Sequence, residues 1–383
     1  MSTRPPEDVE VAIVGAGVVG DAVALALARR GVTVAVLEAE PEPALAASAT
    51  NSGILHLGFD SVPGELETAL IARSAVLRPS VLGALGVPVL SCGALVRGRS
   101  PADREALAAL ARNAARNGVA ALLEGDRLAI PGESVTDPVA FSFALLGAAQ
   151  RHGAVLRTRF RVVALERARQ GFTLVAESGE RVSARLAVNC AGLRADAVAA
   201  LAGDHSFAIY PRKGEFLVFA PAPAQRLDRI LSPLPSRRTR GVLAFPTVDG
   251  MVVAGPTAVD QEDKDDWSVR PEARAEIVAG VSGLYPPLAD AEPVFAYAGL
   301  RPAGRGTNYV IGPSPACPRL VNVAAIRSTG LSASLGIAER VAELVAALGV
   351  ALGPERELEP GPTPAPRGSW WRRTAEYRAS AHA

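Results

Sequence analysis

Val9-Glu10-Val11-Ala12-Ile13-Val14-Gly15-Ala16-Gly17-Val18-Val19-Gly20 reads as an apolar strand that runs into a glycine turn, and Glu38 closes a second apolar run over residues 32–37. The three glycines do different work. Gly15 permits the tight strand-to-helix turn, Gly17 lets backbone approach a pyrophosphate, and Gly20 lets the helix pack close against its strand. The N–H groups at the start of that helix then face the phosphates. Glu38 lies about twenty residues beyond the first glycine, where a carboxylate accepts hydrogen bonds from a ribose. The pattern predicts a strand-helix-strand dinucleotide unit over residues 9–37.

The rest of the composition narrows the class. At 383 residues the chain is long enough for two domains with substantial cores. Its 40 basic and 39 acidic residues leave a net charge of +1, which argues against a phosphate-tracking nucleic-acid surface. Cys92, Cys190 and Cys317 are far apart and form no CxxC pair, so neither an iron–sulfur or zinc site nor a disulfide framework is expected. The apolar N-terminal stretch is preceded by Glu7, Asp8 and Glu10 and interrupted by glycines and Asp21, which is unlike a signal sequence or a transmembrane segment. A cytoplasmic protein is expected.

Along the chain, αβ character appears three times. After the first unit, residues 41–53 read as a loop and 65–85 as a helix. Residues 88–136 carry a strand over 89–96, a helix over 101–117 and short strands over 119–130. A helix from 137 to 151 and strands to 183 precede the buried run 186–192, which ends in Ala191-Gly192 and leads into a helix over 195–202. Residues 208–300 alternate β-rich runs with turns and hold one helix near 270–284, which reads as a large antiparallel sheet. A last buried strand covers 320–325 and an amphipathic helix 334–348. The segmentation predicted is a nucleotide domain in three parts (1–85, 137–205 and 300–352), a substrate domain in two (86–136 and 206–299) and a tail over 353–383. Nicotinamide dehydrogenases usually keep a Rossmann half contiguous, and this chain does not.

Several further motifs carry a family resemblance. Asn51-Ser52-Gly53-Ile54-Leu55-His56-Leu57-Gly58-Phe59 resembles the NSGxxHxG loop of FAD-dependent oxidoreductases of the D-amino-acid-oxidase (DAO) type. Residues 211–216 (PRKGEF), 246–247, 255–258 (GPTA) and 298–302 (AGLRP) are similar to the branch that holds L-2-hydroxyglutarate dehydrogenase/oxidase and anaerobic-type glycerol-3-phosphate dehydrogenase. The similarity extends over residues 9–348. Two departures accompany it. No cysteine-rich module follows, and residues 304–309 lack the acidic residues common in the branch, while Arg327 stands where an uncharged polar residue is common.

The resemblance implies an α/β fold of DAO-like kind: an interrupted Rossmann-like FAD-binding domain with an inserted α+β substrate domain on a mainly antiparallel sheet. It implies FAD, held noncovalently, since no motif for covalent attachment is recognisable. The cofactor contacts it implies are Gly15, Ala16, Gly17, Val18, Gly20, Glu38, the loop residues Ser48, Thr50, Asn51 and Ser52, Val163 for adenine, Ala191 and Gly192, and Gly330, Leu331, Ser332 and Ala333 by the flavin pyrimidine edge. There a helix N-terminus stabilises the negative charge of reduced flavin. Ser332 or Ser334 could equally be a plain helix cap, and the 48–52 loop a solvated one.

Oxidation needs a base for a hydroxyl proton and a cation for an anionic substrate. His56 sits in the flavin-side motif, with a structural loop histidine as the other reading; His152, His205 and His382 are placed less well. Lys213, Arg301 and Arg327 lie in otherwise small or apolar motifs, where a charge needs a ligand or an internal partner such as Glu215. Tyr297 and Tyr309 are lesser candidates. The expected reaction is oxidation of a small anionic secondary alcohol, a 2-hydroxy acid such as 2-hydroxyglutarate or glycerol 3-phosphate, by hydride transfer to flavin N5. Amine or amino-acid oxidation is the alternative, and a non-catalytic flavin-binding module a third. The electron acceptor is open among oxygen, a quinone and a carrier protein. Residues 260–266 read as a solvated turn, and the Trp370-Trp371-Arg372-Arg373 tail as a disordered or lightly docked end.

Overall fold

A computed structural model describes residues 7–98, 100–168, 171–222, 225–236, 240–361 and 368–381. His382 lies outside the described residues. The strand Glu7–Val14 pairs in parallel with Val34–Leu37 on one side and with Arg181–Asn189 on the other. Val155–Arg157 extends the parallel set beyond Val34–Leu37, and Leu320–Ala324 pairs in parallel with the end of Arg181–Asn189. That outer edge of Arg181–Asn189 is shared: its first half pairs instead with the antiparallel strand Gly171–Ala176. The central runs of this sheet, residues 11–14, 34–37 and 186–188, are apolar and buried, as a sheet covered on both faces requires.

A nine-stranded, mainly antiparallel sheet forms the second layer. Its spine is the long pair Ile209–Phe219 and Phe295–Gly304, in register from Ile209 opposite Gly304 to Val218 opposite Phe295. One pair within it, Ala94–Arg97 with Ile230–Pro233, is parallel. Phe295–Gly304 is one continuous strand of this sheet, so the segment boundary drawn at residue 300 falls inside it. A small sheet of Ile54–Leu55, Val89–Leu90 and Ser134–Thr136 sits between the two large ones.

Local corrections have local causes. The strand expected over 89–96 divides between two sheets, because Gly93 takes φ +67° and turns the chain between Val89–Leu90 and Ala94–Arg97. Residues 181–183 and 186–189 belong to one strand, Arg181–Asn189, which ends before Cys190. The last helix of the nucleotide domain is Gly330–Ala347, four residues longer at its start than its apolar periodicity suggested. Ser332 and Ser334 therefore lie inside the helix, and Thr329 occupies the cap position. The tail is neither disordered nor lightly docked: Trp370–Ala381 is a helix whose Trp370 and Trp371 are each only 3% exposed. Residues 260–266 are not simply a solvated turn, since Lys264 pairs with Asp196 and Asp266 with Lys213, each at 2.7 Å.

Helix Gly330–Ala347 packs between Val18–Ala28 and Leu66–Ala84. The approach is closest at Gly336, where an added Cβ would stand 2.4 Å from the Leu70 carbonyl oxygen. Gly336→Ala should therefore force the two helices apart and cost about 1–3 kcal/mol, the usual scale of overpacking. Urea unfolding of the FAD-saturated variant checks this, and an unchanged midpoint would refute the close contact.

Candidate active site

A cavity of about 1180 Å³ runs from the carboxyl ends of the parallel strands to the inner face of the antiparallel sheet. Small-molecule pockets usually span about 300–1,000 Å³, so this one has room for a dinucleotide and a further small molecule. Its first end is built by the glycine loop. Gly15 adopts φ +105°, and a Cβ there would meet the Cys190 carbonyl oxygen at 2.6 Å. A Cβ on Gly20 would meet the Gly15 carbonyl oxygen at 2.1 Å, which is the close helix–strand approach expected of the third glycine. Gly17 and Val18 open the helix Val18–Ala28, and Ser48 Oγ accepts the Val18 N–H at 3.0 Å.

Glu38 Oε2 accepts the Ala16 N–H at 2.7 Å and Oε1 accepts the Glu40 N–H at 2.9 Å. Burial pushes the Glu38 carboxyl up from its ordinary value, and those N–H groups only partly oppose the push. Val163 lies in the cavity wall at a break in the register of Val162–Ala168 against Gly171–Ala176. Thr50, Asn51, Ser52, Ala191, Gly192, Gly330 and Leu331 also line the cavity. Ser332 and Ala333 are turned into the protein instead, 1% and 0% exposed. The glycine cradle, which a Cβ would fill, and the buried carboxylate beside it fit the pyrophosphate and ribose of FAD.

His56 lines the opposite end. Its Nδ1 is 2.9 Å from Glu133 Oε2, and Glu133 Oε1 accepts the Leu57 N–H at 2.7 Å. The ring is held further by its backbone, since Ser332 Oγ accepts the His56 N–H at 2.8 Å and Arg78 donates to the His56 carbonyl at 3.0 Å. A carboxylate on Nδ1 fixes that nitrogen as the donor and leaves Nε2 as the free lone pair. Beside it, Asp60 and Arg240 form a bidentate pair at the cavity wall. Burial alone would raise the Asp60 carboxyl, but the Arg240 charge and its hydrogen bonds outweigh burial and hold it below the usual range.

Arg301 also lines the cavity. Its Nε donates to the Arg212 carbonyl at 2.9 Å, and its Nη2 donates to the carbonyls of Lys213 and Thr257 at 3.0 and 2.9 Å. Burial, together with the charges of Arg212 and Arg327, pushes Arg301 down to about 10. Arg327 is exposed in the same wall. Lys213 is not drawn into this group. It is 1% exposed and paired with Asp266, while Glu215, suggested as its partner, is held by Arg270. The alternation of a strand explains the outcome, because Arg212 and Gly214 line the cavity and the residue between them points the other way.

Of the other candidates, His152 ends helix Pro138–Arg151 and His205 is exposed. Tyr297 stacks on Phe216 with ring centroids 4.8 Å apart, and the Tyr309 hydroxyl pairs with Thr329 Oγ1 at 2.8 Å. The residues that sequence reasoning missed are Glu133, the Asp60–Arg240 pair, and Glu67, whose Oε1 accepts the Thr329 hydroxyl at 2.6 Å beside Gly330. Asp60 follows the Asn51-to-Phe59 motif directly, the one signal that could have drawn attention to it. Among the described residues no helix is long and apolar enough to cross a membrane.

The family model described as FAD dependent oxidoreductase (DAO) matches residues 10–344. The chain is similar to glycerol 3-phosphate dehydrogenase of Caloramator mitchellensis, with 27% identity over 346 residues that cover 86% of this chain and 72% of the relative. It is similar to the mitochondrial L-2-hydroxyglutarate dehydrogenase of Bos taurus, 29% identical over 283 residues, 65% of this chain and 61% of the relative. Among solved structures, dithionite-reduced L-alpha-glycerophosphate oxidase from Mycoplasma pneumoniae with FAD bound superposes with a TM-score of 0.85 at 24% identity, covering 93% of this chain and 99% of that one.

Glu38 gives a test of the cofactor end. Ribose hydroxyls donate to a carboxylate, so they favour its ionised form, and FAD affinity should fall as pH drops through the raised Glu38 value. Glu38→Gln should weaken FAD binding by roughly 10- to 100-fold, the scale of about 1.5–3 kcal/mol for a charged hydrogen bond, and should flatten that acid limb. Quenching of flavin fluorescence on titration with apoprotein measures both, and wild-type affinity in the variant would refute the assignment.

Proposed function

We propose that this chain, which belongs to the family of FAD-dependent oxidoreductases, oxidises a small anionic secondary alcohol, a 2-hydroxy acid or glycerol 3-phosphate. The observation that carries the proposal is the pairing, in one cavity, of an imidazole oriented by a carboxylate with an arginine that has no carboxylate bonded to it among the described residues. FAD, when bound, supplies the acceptor for the hydride at flavin N5. The two relatives named for glycerol 3-phosphate and 2-hydroxyglutarate support an alcohol over an amine substrate.

In this reading His56 Nε2 removes the hydroxyl proton as hydride leaves the adjacent carbon. Glu133 holds the tautomer that makes Nε2 basic and stabilises the imidazolium that forms, because its Oε2 remains on Nδ1 throughout. Arg301 holds the substrate anion. Its Nε and Nη2 are fixed by three carbonyls, which leaves Nη1 without a partner among the described residues. Arg327 adds a second positive charge at the exposed side of the same wall. Lys213 contributes by holding Asp266, away from the anion. The helix N-terminus at Gly330–Leu331 favours negative charge beside it. Three free cysteines fit a reducing, cytoplasmic setting.

Anaerobic flavin bleaching tests the substrate class directly. Glycerol 3-phosphate or L-2-hydroxyglutarate should bleach the enzyme, whereas bleaching by amino acids alone, or by none of these compounds, would overturn the proposal. Oxygen, a quinone and a carrier protein can then be compared as reoxidants of the reduced enzyme.

His56→Gln should keep FAD and fold but slow anaerobic flavin reduction by roughly 10²–10⁴-fold, the scale of a general base. Wild-type reduction rates would eliminate His56 as the base. Arg327→Met should raise KM by roughly 10- to 100-fold with FAD content unchanged, and Arg301→Met should do the same while also lowering Tm, because it alone gives up three carbonyl contacts. Unaltered KM in both variants would remove the anion site.

A further inference from the structure

Helix Trp370–Ala381 lies beyond residue 344, where the family match ends, and no role for it follows from family membership. It is amphipathic along its length as well as around it. Its first turn is an anchor: Trp370 and Trp371 join a buried cluster with Phe216 and Tyr297, and Trp371 Nε1 donates to Asp249 Oδ2 at 3.2 Å. The Trp370 and Tyr297 rings meet edge to face at 5.9 Å. Its far end is polar and reaches the turn that follows Glu38. Arg378 donates to Glu40 Oε1 at 2.9 Å, and the Tyr377 hydroxyl donates to Glu40 Oε2 at 2.7 Å. Glu40 in turn gives its N–H to Glu38.

Arg378 lines the cavity at this end, as does Trp267 of the antiparallel-sheet domain, and the guanidinium stands 5.3 Å from the Trp267 ring centroid. Val163 and Arg161 lie in the same wall. The Nε of Arg378 is buried with no partner among the described residues, so Glu40 does not use up its donors. We propose that this helix is a clamp on the adenosine half of FAD: the tryptophans pin it to the sheet domain, and Arg378 with Trp267 completes the cavity lining that Val163 and Arg161 share. The helix joins two bodies across the cofactor, so FAD leaves only when its polar end lifts from Glu40. The proposal depends on FAD as cofactor and is independent of which substrate is oxidised.

Apoprotein titrated with FAD and, in parallel, with FMN, which lacks the adenosine half, tests the clamp by flavin fluorescence. Arg378→Ala should raise the FAD Kd by roughly three- to tenfold, the scale of one exposed-to-buried cation contact, and leave the FMN Kd within about twofold. Trp370→Ala combined with Trp371→Ala should speed FAD dissociation by about tenfold or more, since it removes the anchor. An unchanged FAD Kd in Arg378→Ala would overturn the proposal, and so would equal losses of FAD and FMN affinity, which mark a general structural effect. Should the tryptophan pair be needed for folding, Arg378→Ala with Arg378→Lys as the charge-retaining control carries the test alone.

Discussion

A carboxylate that is 1% exposed has to be matched by donors, and Glu133 is matched by two that lie next to each other in the chain, the His56 ring and the Leu57 N–H. The position of the histidine depends on this. Glu133 sits between Arg127–Ile130, in the antiparallel sheet, and Ser134–Thr136, which pairs with Ile54–Leu55 beside the flavin-side loop. One side chain therefore fixes the imidazole relative to both domains. Ser332, inside the Gly330–Ala347 helix, fixes the same backbone from the nucleotide side by accepting the His56 N–H and donating to Ile54. A histidine held from both sides can present only one nitrogen to the cavity.

The domains are joined by charge as well as by apolar packing. Lys264 and Asp265 of the acidic loop pair with Asp196 and Arg194, which belong to the nucleotide side, while Asp266 holds Lys213 in the long strand of the other sheet. The run looked solvated because charges in sequence usually face water. Its partners are about seventy and fifty residues away, and no local pattern announces such pairs. The exposed members of these pairs contribute little to stability individually. Their effect is on geometry, since Lys264 and Asp265 tie this loop to Asp196 and Arg194 on the nucleotide side.

What was legible in the sequence followed from backbone constraints. Gly15 and Gly20 can be read because a Cβ at either would collide with backbone, Gly17 because it stands between them in the fingerprint, and Glu38 because its distance from them is fixed by one strand-helix-strand unit. The parallel strands were legible as apolar runs. The antiparallel spine was read only in pieces, since Ile209–Phe219 carries Arg212, Lys213 and Glu215 inside an otherwise apolar stretch. Which of those charges reaches the cavity is a matter of strand parity, and parity turns Arg212 toward it and Lys213 away. Glu133 was invisible for a different reason: a single glutamate after Pro131-Gly132 resembles any turn residue. The tail departs from its expectation because Pro-rich, Arg-rich composition points to a loose end while two adjacent tryptophans carry a large apolar area that favours burial.

The charges of the cavity divide between its ends in a way that suits a dinucleotide followed by an anion. Glu38 and Glu40 stand at the nucleotide end, where hydroxyls and an arginine from the C-terminal helix meet them. Arg301 and Arg327 stand at the other end, close enough that their mutual repulsion, added to burial, lowers the Arg301 value. Repulsion of this kind is sustained only where something offsets it. Three carbonyl dipoles do so in part for Arg301, and under the proposed function the substrate anion would complete the compensation. Asp60 and Arg240, by contrast, pair with each other beside His56, so the charge of Arg240 is met by a carboxylate whereas that of Arg301 is met by carbonyls alone among the described residues.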